Sequence, residues 1–273
     1  MTTNVATPDL ARVRARQQQT WASGDYGAIA TGILPIAEQL CETMDLHAGA
    51  RVLDVAAGTG NAALAAARRH CDVTATDYVP ELLARARERA TAERLDITIR
   101  EADAEALPFP DGSFDAVISV VGAMFAPDQE RTAAELLRVC RPGGTIGLAN
   151  WTPEGFIGRM FRVIGSHVAP PAGLKPPPLW GTEARLGELF GDGTTSLRVV
   201  RRHHTFRFRS PEHCLDVFRT SYGPMLKAFD TLDAAGQERL AGDLLDLARE
   251  FNRSGDDSLA APAEYLDIVA IKH

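Results

Sequence analysis

Short apolar runs alternate with longer segments of helical spacing through the first half of the chain. Residues 52–55 are dense in β-branched apolar side chains and read as a buried strand, whereas 61–70 carries strong helix formers with no glycine or proline. The contrast recurs, predicting strands near 51–55, 72–76, 97–101, 114–120 and 144–150 and helices near 60–70, 79–93 and 128–140. Such alternation predicts an α/β protein with a doubly wound, mostly parallel sheet covered on both faces. Residues 8–45 read as helical, with Trp21, Tyr26, Ile29, Ile33 and Leu34 available for an apolar face and a break at 21–26, WASGDY.

Beyond Trp151 the pattern changes. Residues 155–168 have helical spacing, 169–179 (APPAGLKPPPL) is too rich in proline for a helix and reads as an ordered loop, and a short helix follows at 182–190. Strands are expected at 197–209 and 265–272, separated by helices near 211–229 and 233–252. The expected organisation is a helical lid over 1–45, a core over 46–151, a cap over 152–194 and a closing segment, 195–273, that completes a single domain.

The densest chemical signal lies in 51–77, RVLDVAAGTGNAALAAARRHCDVTATD. Without a Cβ, Gly58 and Gly60 let the backbone turn sharply and let a ligand approach its amides, near the positive end of the following helix. Asp77 ends the next strand, where a carboxylate can accept bonds from both hydroxyls of an unphosphorylated ribose. Gly58, Gly60 and Ala63 also fit the G-x-G-x-x-(G/A) fingerprint of dinucleotide sites, a weak match by itself. In those sites the first glycine comes directly off the strand, whereas here Asp54, Ala56 and Ala57 intervene.

The resulting D-x-A-x-G-x-G resembles the E/D-x-G-x-G-x-G motif of class I S-adenosylmethionine-dependent methyltransferases, with Ala56 in place of the first glycine. Residues 101–114, EADAEALPFPDGSF, are similar to that family's D-A-x-x-L-P-F segment; 114–125 resemble its fourth strand, and 136–151 its helix, Pro-Gly-Gly turn and fifth strand. The resemblance covers roughly residues 50–151, with weaker similarity beyond them to menaquinone- and ubiquinone-type small-molecule methyltransferases. It implies a Rossmann-like seven-stranded sheet, closed by an antiparallel pair, and an N-terminal segment folded over the cofactor. It also implies S-adenosylmethionine as cofactor and S-adenosylhomocysteine as product. The carbonyl of Ala56 and residues Gly58 and Gly60 would hold the methionine end, and Asp77 the ribose. Tyr78 would stack near the adenine, Asp103 and the Ala104 amide would meet its edge, and Ser119 and Val120 would border the transferable methyl. Asp54 would either tie down the turn through backbone amides or reach the methionine amine through water.

Composition narrows the partners. The chain has 273 residues, 45% hydrophobic and 24% charged, enough for a substantial core, and no run approaches the ~20 apolar residues of a membrane span. No signal-peptide core precedes residue 21, so a cytoplasmic protein with no membrane insertion is expected. A net charge of −7 disfavours nucleic acid, and the arginines of 198–209 alternate with apolar residues as an exposed strand face would. Cys41, Cys71, Cys140 and Cys214 have no metal-ligand spacing, so no metal site is expected. The expected partner is a small, partly apolar or aromatic methyl acceptor, modified at oxygen, nitrogen or carbon.

For a general base the histidines are the candidates, and His167, in the cap, is the first choice ahead of His203, His204 and His213. Trp151, Trp180, Met124 and Phe125 would form an apolar substrate wall. Two other functions compete: a nicotinamide-dependent oxidoreductase using Gly58, Gly60 and Asp77, and a noncatalytic protein that binds the adenosine cofactor without a productive acceptor pocket.

Overall fold

A computed structural model describes residues 9–273; the first eight residues of the expected lid lie outside it. Three helices open the chain: α1 (Leu10–Trp21), α2 (Tyr26–Gly32) and α3 (Leu34–Thr43). The core follows as β1 (Arg51–Val55), α4 (Asn61–Arg68), β2 (Asp72–Asp77), α5 (Pro80–Glu93), β3 (Thr98–Glu101), β4 (Phe114–Val120), α6 (Gln129–Val139) and β5 (Cys140–Trp151). Then come α7 (Phe156–His167), α8 (Glu183–Phe190), β6 (Thr194–Phe208), α9 (Pro211–Ser221), α10 (Gly223–Thr231), α11 (Ala234–Phe251) and β7 (Leu259–Lys272).

All seven strands form one sheet in the order β3-β2-β1-β4-β5-β7-β6. The first five run parallel, and β7 lies antiparallel between β5 and β6. Chain order reverses between β1 and β4, and in such sheets the crevice beyond the strand ends at the reversal is where ligands bind. The central strands are buried on both faces, and α4 packs its alanines, Ala62 to Ala67, against the sheet with little exposure. Small side chains there bring the helix axis close to the strands, so the turn between β1 and α4 sits tightly on the sheet edge.

Three elements differ from the sequence pattern for identifiable reasons. β7 begins at Leu259 because its first residues pair with β6 alone. Pro262 is tolerated there, past the last β5 pair, Trp151 with Tyr265, where its missing N–H leaves no ladder bond unmade. β5 starts at Cys140, and its pairing with β4 shifts register between Phe114 and Ala116 to take up Pro142 and the following glycines. The helix expected over 211–229 is two, because Pro224 cannot continue α9 and instead opens α10.

The helices that roof the sheet's open end come from several parts of the chain. α11 packs on α7 and α9, α2 packs on α9, and α1 packs on α10. A Cβ on Gly223 would stand 2.0 Å from the Thr20 carbonyl oxygen, so only glycine lets α10 start this close to the end of α1. Among the described residues, no helix is long and apolar enough to cross a membrane. None of their His, Cys, Asp and Glu side chains cluster in a way that could hold a metal ion.

Candidate active site

The cleft opens beyond the ends of β1, β2 and β4. Leaving β1, the backbone takes positive φ at Ala56 (54°), Gly58 (55°) and Gly60 (85°) and then enters α4. A Cβ at Gly60 would lie 3.0 Å from that of Ala86, so the turn is pressed against α5 as well as left-handed. Ala56 adopts the left-handed region despite its side chain, which costs about 1 kcal/mol and persists only where surrounding contacts fix it. From α5, Arg89 holds the turn by donating to the Thr59 carbonyl at 2.6 Å and to Asn61 Oδ1 at 2.8 Å. Asn61 in turn donates to the Ala30 carbonyl at 2.8 Å, tying α2 to the same turn.

Two buried carboxylates flank this backbone. Asp77 accepts the Gly58 amide at 2.8 Å and the Val79 amide at 2.9 Å, one on each oxygen. Burial pushes its carboxyl up to about 6, although the amide bonds pull the other way. Each carboxylate oxygen has two acceptor sites, so one lone-pair direction on each oxygen remains for a ligand hydroxyl. Asp54 lies behind the turn: its Oδ2 accepts the Ala63 amide at 2.8 Å, its Oδ1 is buried without a partner, and burial, reinforced by the charge of Asp77, pushes it up to about 8.

The cleft has about 830 Å³ of empty space measured out to its mouth. Ala56, Gly58, Asp77, Tyr78, Asp103, Ala104 and Val120 border it. Asp54, Gly60 and Ser119 stand behind that surface. The Ser119 hydroxyl is fully engaged, donating to the Val55 carbonyl at 2.7 Å and accepting the Ala123 amide at 2.9 Å, so it braces the end of β4 and leaves the lining to Val120. Asp103 accepts the Glu105 amide at 2.9 Å, a turn contact, and also pairs with Arg14 of α1 at 3.3 Å. Arg14 bonds Glu105 too, Gln18 donates to the Tyr78 carbonyl, and Gln17 donates to that of Phe125 at 3.2 Å. α1 is therefore a wall of the cleft, held by polar contacts along its length.

The first-choice base, His167, does not border the cleft. It ends α7, and its Nε2 lies 2.6 Å from Asp243 Oδ2 on α11. A helix whose apolar face turns toward the interior carries its last residue outward, which position in the cap could not reveal. The other histidines are elsewhere too: His203 faces Glu264, His204 packs edge-on against Phe206, and His213 accepts the Arg209 amide. Of the expected apolar wall, Phe125 lines the cleft, whereas Met124 and Trp180 are core residues with no exposure. Arg14 and Tyr222 do not stand out in the sequence; a lone arginine on a polar helix and a tyrosine before Gly-Pro carry no local signal of a site.

A methyltransferase domain model matches residues 53–148, which span the turn, both carboxylates and the strands around them. An uncharacterized protein of Mycobacterium tuberculosis is 43% identical over 256 residues, covering 92% of this chain and 93% of the relative. The demethylmenaquinone methyltransferase of Deinococcus radiodurans is 40% identical over 131 residues, covering 46% of this chain and 54% of that enzyme. The structure of the YcgJ protein of Bacillus subtilis matches the fold with a TM-score of 0.61 at 18% identity, covering 87% of this chain and 98% of that one. The chain belongs to the class I S-adenosylmethionine-dependent methyltransferases, in their small-molecule branch. It is an enzyme that transfers a methyl group from S-adenosylmethionine to a small molecule, and the mycobacterial protein is similar to it over nearly its full length.

Proposed function

We propose that the outer cleft holds the cofactor with its ribose on Asp77, its adenine between Tyr78, Asp103 and the Ala104 amide, and its methionine end along Ala56 and Gly58. The observation that carries this reading is Asp77: an almost fully buried carboxylate on the cleft surface, fixed by two amides and still able to accept two hydroxyl bonds. The surrounding donor set fits the same group. The glycine turn keeps its backbone free of side-chain bulk, and Arg14 on Asp103 closes the far end. Asp54 ties the turn to α4, with Gly60 giving the sharp bend and Ser119 fixing the direction of β4.

When bound, S-adenosylmethionine supplies a methyl group activated on a sulfonium, and its transfer needs no covalent enzyme intermediate. The contribution of this chain is then placement and dryness. The turn and Asp77 fix one end, Val120 and Val121 border the other, and the aromatic residues Trp21, Tyr26 and Phe125 exclude water from the line of attack. No histidine, lysine or cysteine borders the cleft among the described residues. An acceptor nucleophile must therefore need no strong base from the protein.

Calorimetric titration with S-adenosylmethionine, S-adenosylhomocysteine, NAD and NADP tests the assignment of the cleft. Selective binding of the first two, lost in Asp77→Ala, is the expected result; unchanged affinity in Asp77→Ala would place the ribose elsewhere.

A further inference from the structure

The acid at the adenine end of the cleft is not held by its own turn alone. Asp103 Oδ1 accepts the Glu105 amide at 2.9 Å, while Oδ2 lies 3.3 Å from Nε of Arg14, which comes from α1. The same guanidinium donates through Nη1 to Glu105 Oε2. Glu105 is buried, and its other oxygen, Oε1, accepts the Asp128 amide at 2.8 Å. Two carboxylates, two residues apart, thus share one cation. Among the described residues no other arginine, lysine or histidine pairs with either of them.

We propose that Arg14 is a positioning residue for the cofactor's base: by bridging Asp103 and Glu105 it keeps Asp103 ionised and aimed as an acceptor for an exocyclic amino group, so that the site takes a 6-amino purine nucleoside and rejects its 6-keto counterpart. The proposal rests on the cofactor assignment above and deepens it. Three observations carry it. First, the two acids oppose each other's ionisation. Burial pushes the Glu105 carboxyl up, the Asp128 amide and Arg14 pull it back, and the charge of Asp103 adds to the rise. Without the cation between them, one of the pair is driven to hold a proton. A protonated Asp103 carries a donor where the amino group needs an acceptor.

Second, the carboxylate of Asp103 is fixed from two directions. Its own turn takes one oxygen and α1 takes the other, so its plane cannot swing without breaking one contact or the other. Each oxygen keeps a second acceptor position, and Asp103 and Ala104 both border the cleft. An acceptor there beside the Ala104 amide donor matches the amino group and ring nitrogen of adenine; a keto group and ring N–H reverse both polarities. Third, the position of Arg14 is preset by polar contacts. No residue of α1 is fully buried, so core packing does not locate the helix. One turn beyond Arg14, Gln17 donates to the Phe125 carbonyl at 3.2 Å and Gln18 to that of Tyr78. The Tyr78 carbonyl follows directly on Asp77, so the helix that carries Arg14 is registered against the strand end that would carry the ribose.

The test is calorimetry on the full chain with S-adenosylhomocysteine and S-inosylhomocysteine, which differ at the 6-position of the base, read as the ratio of their two affinities. The wild type should favour the adenosyl compound at least about a hundredfold, because the keto compound leaves polar groups of the site unpaired. Arg14→Gln should lower that ratio about tenfold, and Arg14→Lys, which keeps the charge but not the planar fork, about threefold. Asp103→Asn should lower it as well, and adding Arg14→Gln to that variant should lower it no further, since the arginine acts through the acid. An arginine that merely latches α1 would weaken both compounds equally, and an unchanged ratio in Arg14→Gln would overturn the proposal; were that variant not to fold, a wild-type ratio in Arg14→Lys would do the same. Equal binding of the two compounds by the wild type, or a further fall in the double variant, would also overturn it while leaving the cofactor in place. Absence of S-adenosylhomocysteine binding, or binding indifferent to Asp77→Ala, would overturn the cofactor assignment and this proposal together.

Discussion

The outer cleft and the small apolar chamber behind it, which is lined by Phe161, Phe206 and Tyr222 and shares Trp21, Tyr26 and Phe125 with the cleft, are built on different plans. The cleft takes its determinants from consecutive strand ends: a glycine turn after β1, a carboxylate ending β2, a second acid after β3 and a braced β4. Its recognition groups are mostly backbone amides and buried carboxylates whose positions follow once the sheet forms. The chamber instead collects side chains from α1, α2, α7, α9 and the far antiparallel strand β6, and presents rings in place of charge. A site made of backbone is hard to vary without losing the fold. One made of side chains on roofing helices can change its guest while the sheet stays as it is.

This contrast can be broken most sharply at Asp77. Asp77→Ala should weaken S-adenosylmethionine at least about a hundredfold, because two hydrogen bonds to a charged acceptor disappear together; titration calorimetry reads this directly. In the wild type, affinity should rise with pH as the carboxyl ionises through about 6 and level off above it. A flat pH profile would mean that Asp77 does not receive the ribose.

The next effect lies behind the turn. Asp54 has a folded-state value near 8, well above the ordinary carboxylate range, so the folded protein retains a proton that the unfolded chain has released. Stability from this group is present below about pH 4 and is lost as pH rises toward 8. Asp54→Asn has no proton to take up on folding, so the variant should gain on the wild type across that window, by about 2 kcal/mol at its upper end. Denaturant melts at several pH values would show a gap widening with pH; a constant gap would mean that Asp54 ionises in the fold as readily as in the unfolded chain.

In the chamber, Phe161→Ala should lower kcat/KM for the acceptor about tenfold while leaving cofactor affinity unchanged, since Phe161 borders the inner space alone. Equal losses on both substrates would erase the distinction between the two regions. The smallest change is expected outside both. His167→Ala should alter turnover by less than about twofold, because what it removes is a pairing with Asp243 at the protein surface. A pH–rate profile that loses a limb in this variant would return His167 to the chemistry.

How much of this could be read from the sequence follows the same division. The strands and helices of 51–139 were legible to within a residue or two, because buried parallel strands and alanine-rich helices are local patterns bounded by Gly58, Pro80 and Asp128. Seven of the ten expected cofactor residues border one cleft for that reason: the motif that names them also builds the turn that gathers them. Asp54, Gly60 and Ser119 support it from behind, a difference of depth that spacing does not encode. The chamber was much less legible. Trp21 and Tyr26 read as a helix face, and Tyr222 and Phe161 as nothing in particular, since their meeting depends on how α7 and α9 pack against α1 and α2 rather than on any local period. The position of His167 was not legible either: helical spacing does not give the direction of a helix's last side chain, and here the imidazole lies against Asp243 and not on the cleft.

One helix joins the two regions. Arg14 and Trp21 sit on α1, the first against Asp103 and Glu105 at one end of the cleft and the second on the wall shared with the inner space, with the helix end pinned where Gly223 meets Thr20. Any displacement of α1 that broke the pairs of Arg14 with Asp103 and Glu105 would therefore also move Trp21, which borders both spaces. A ligand that shifted α1 at one end would change affinity at the other, and such a linkage is reciprocal by thermodynamic necessity.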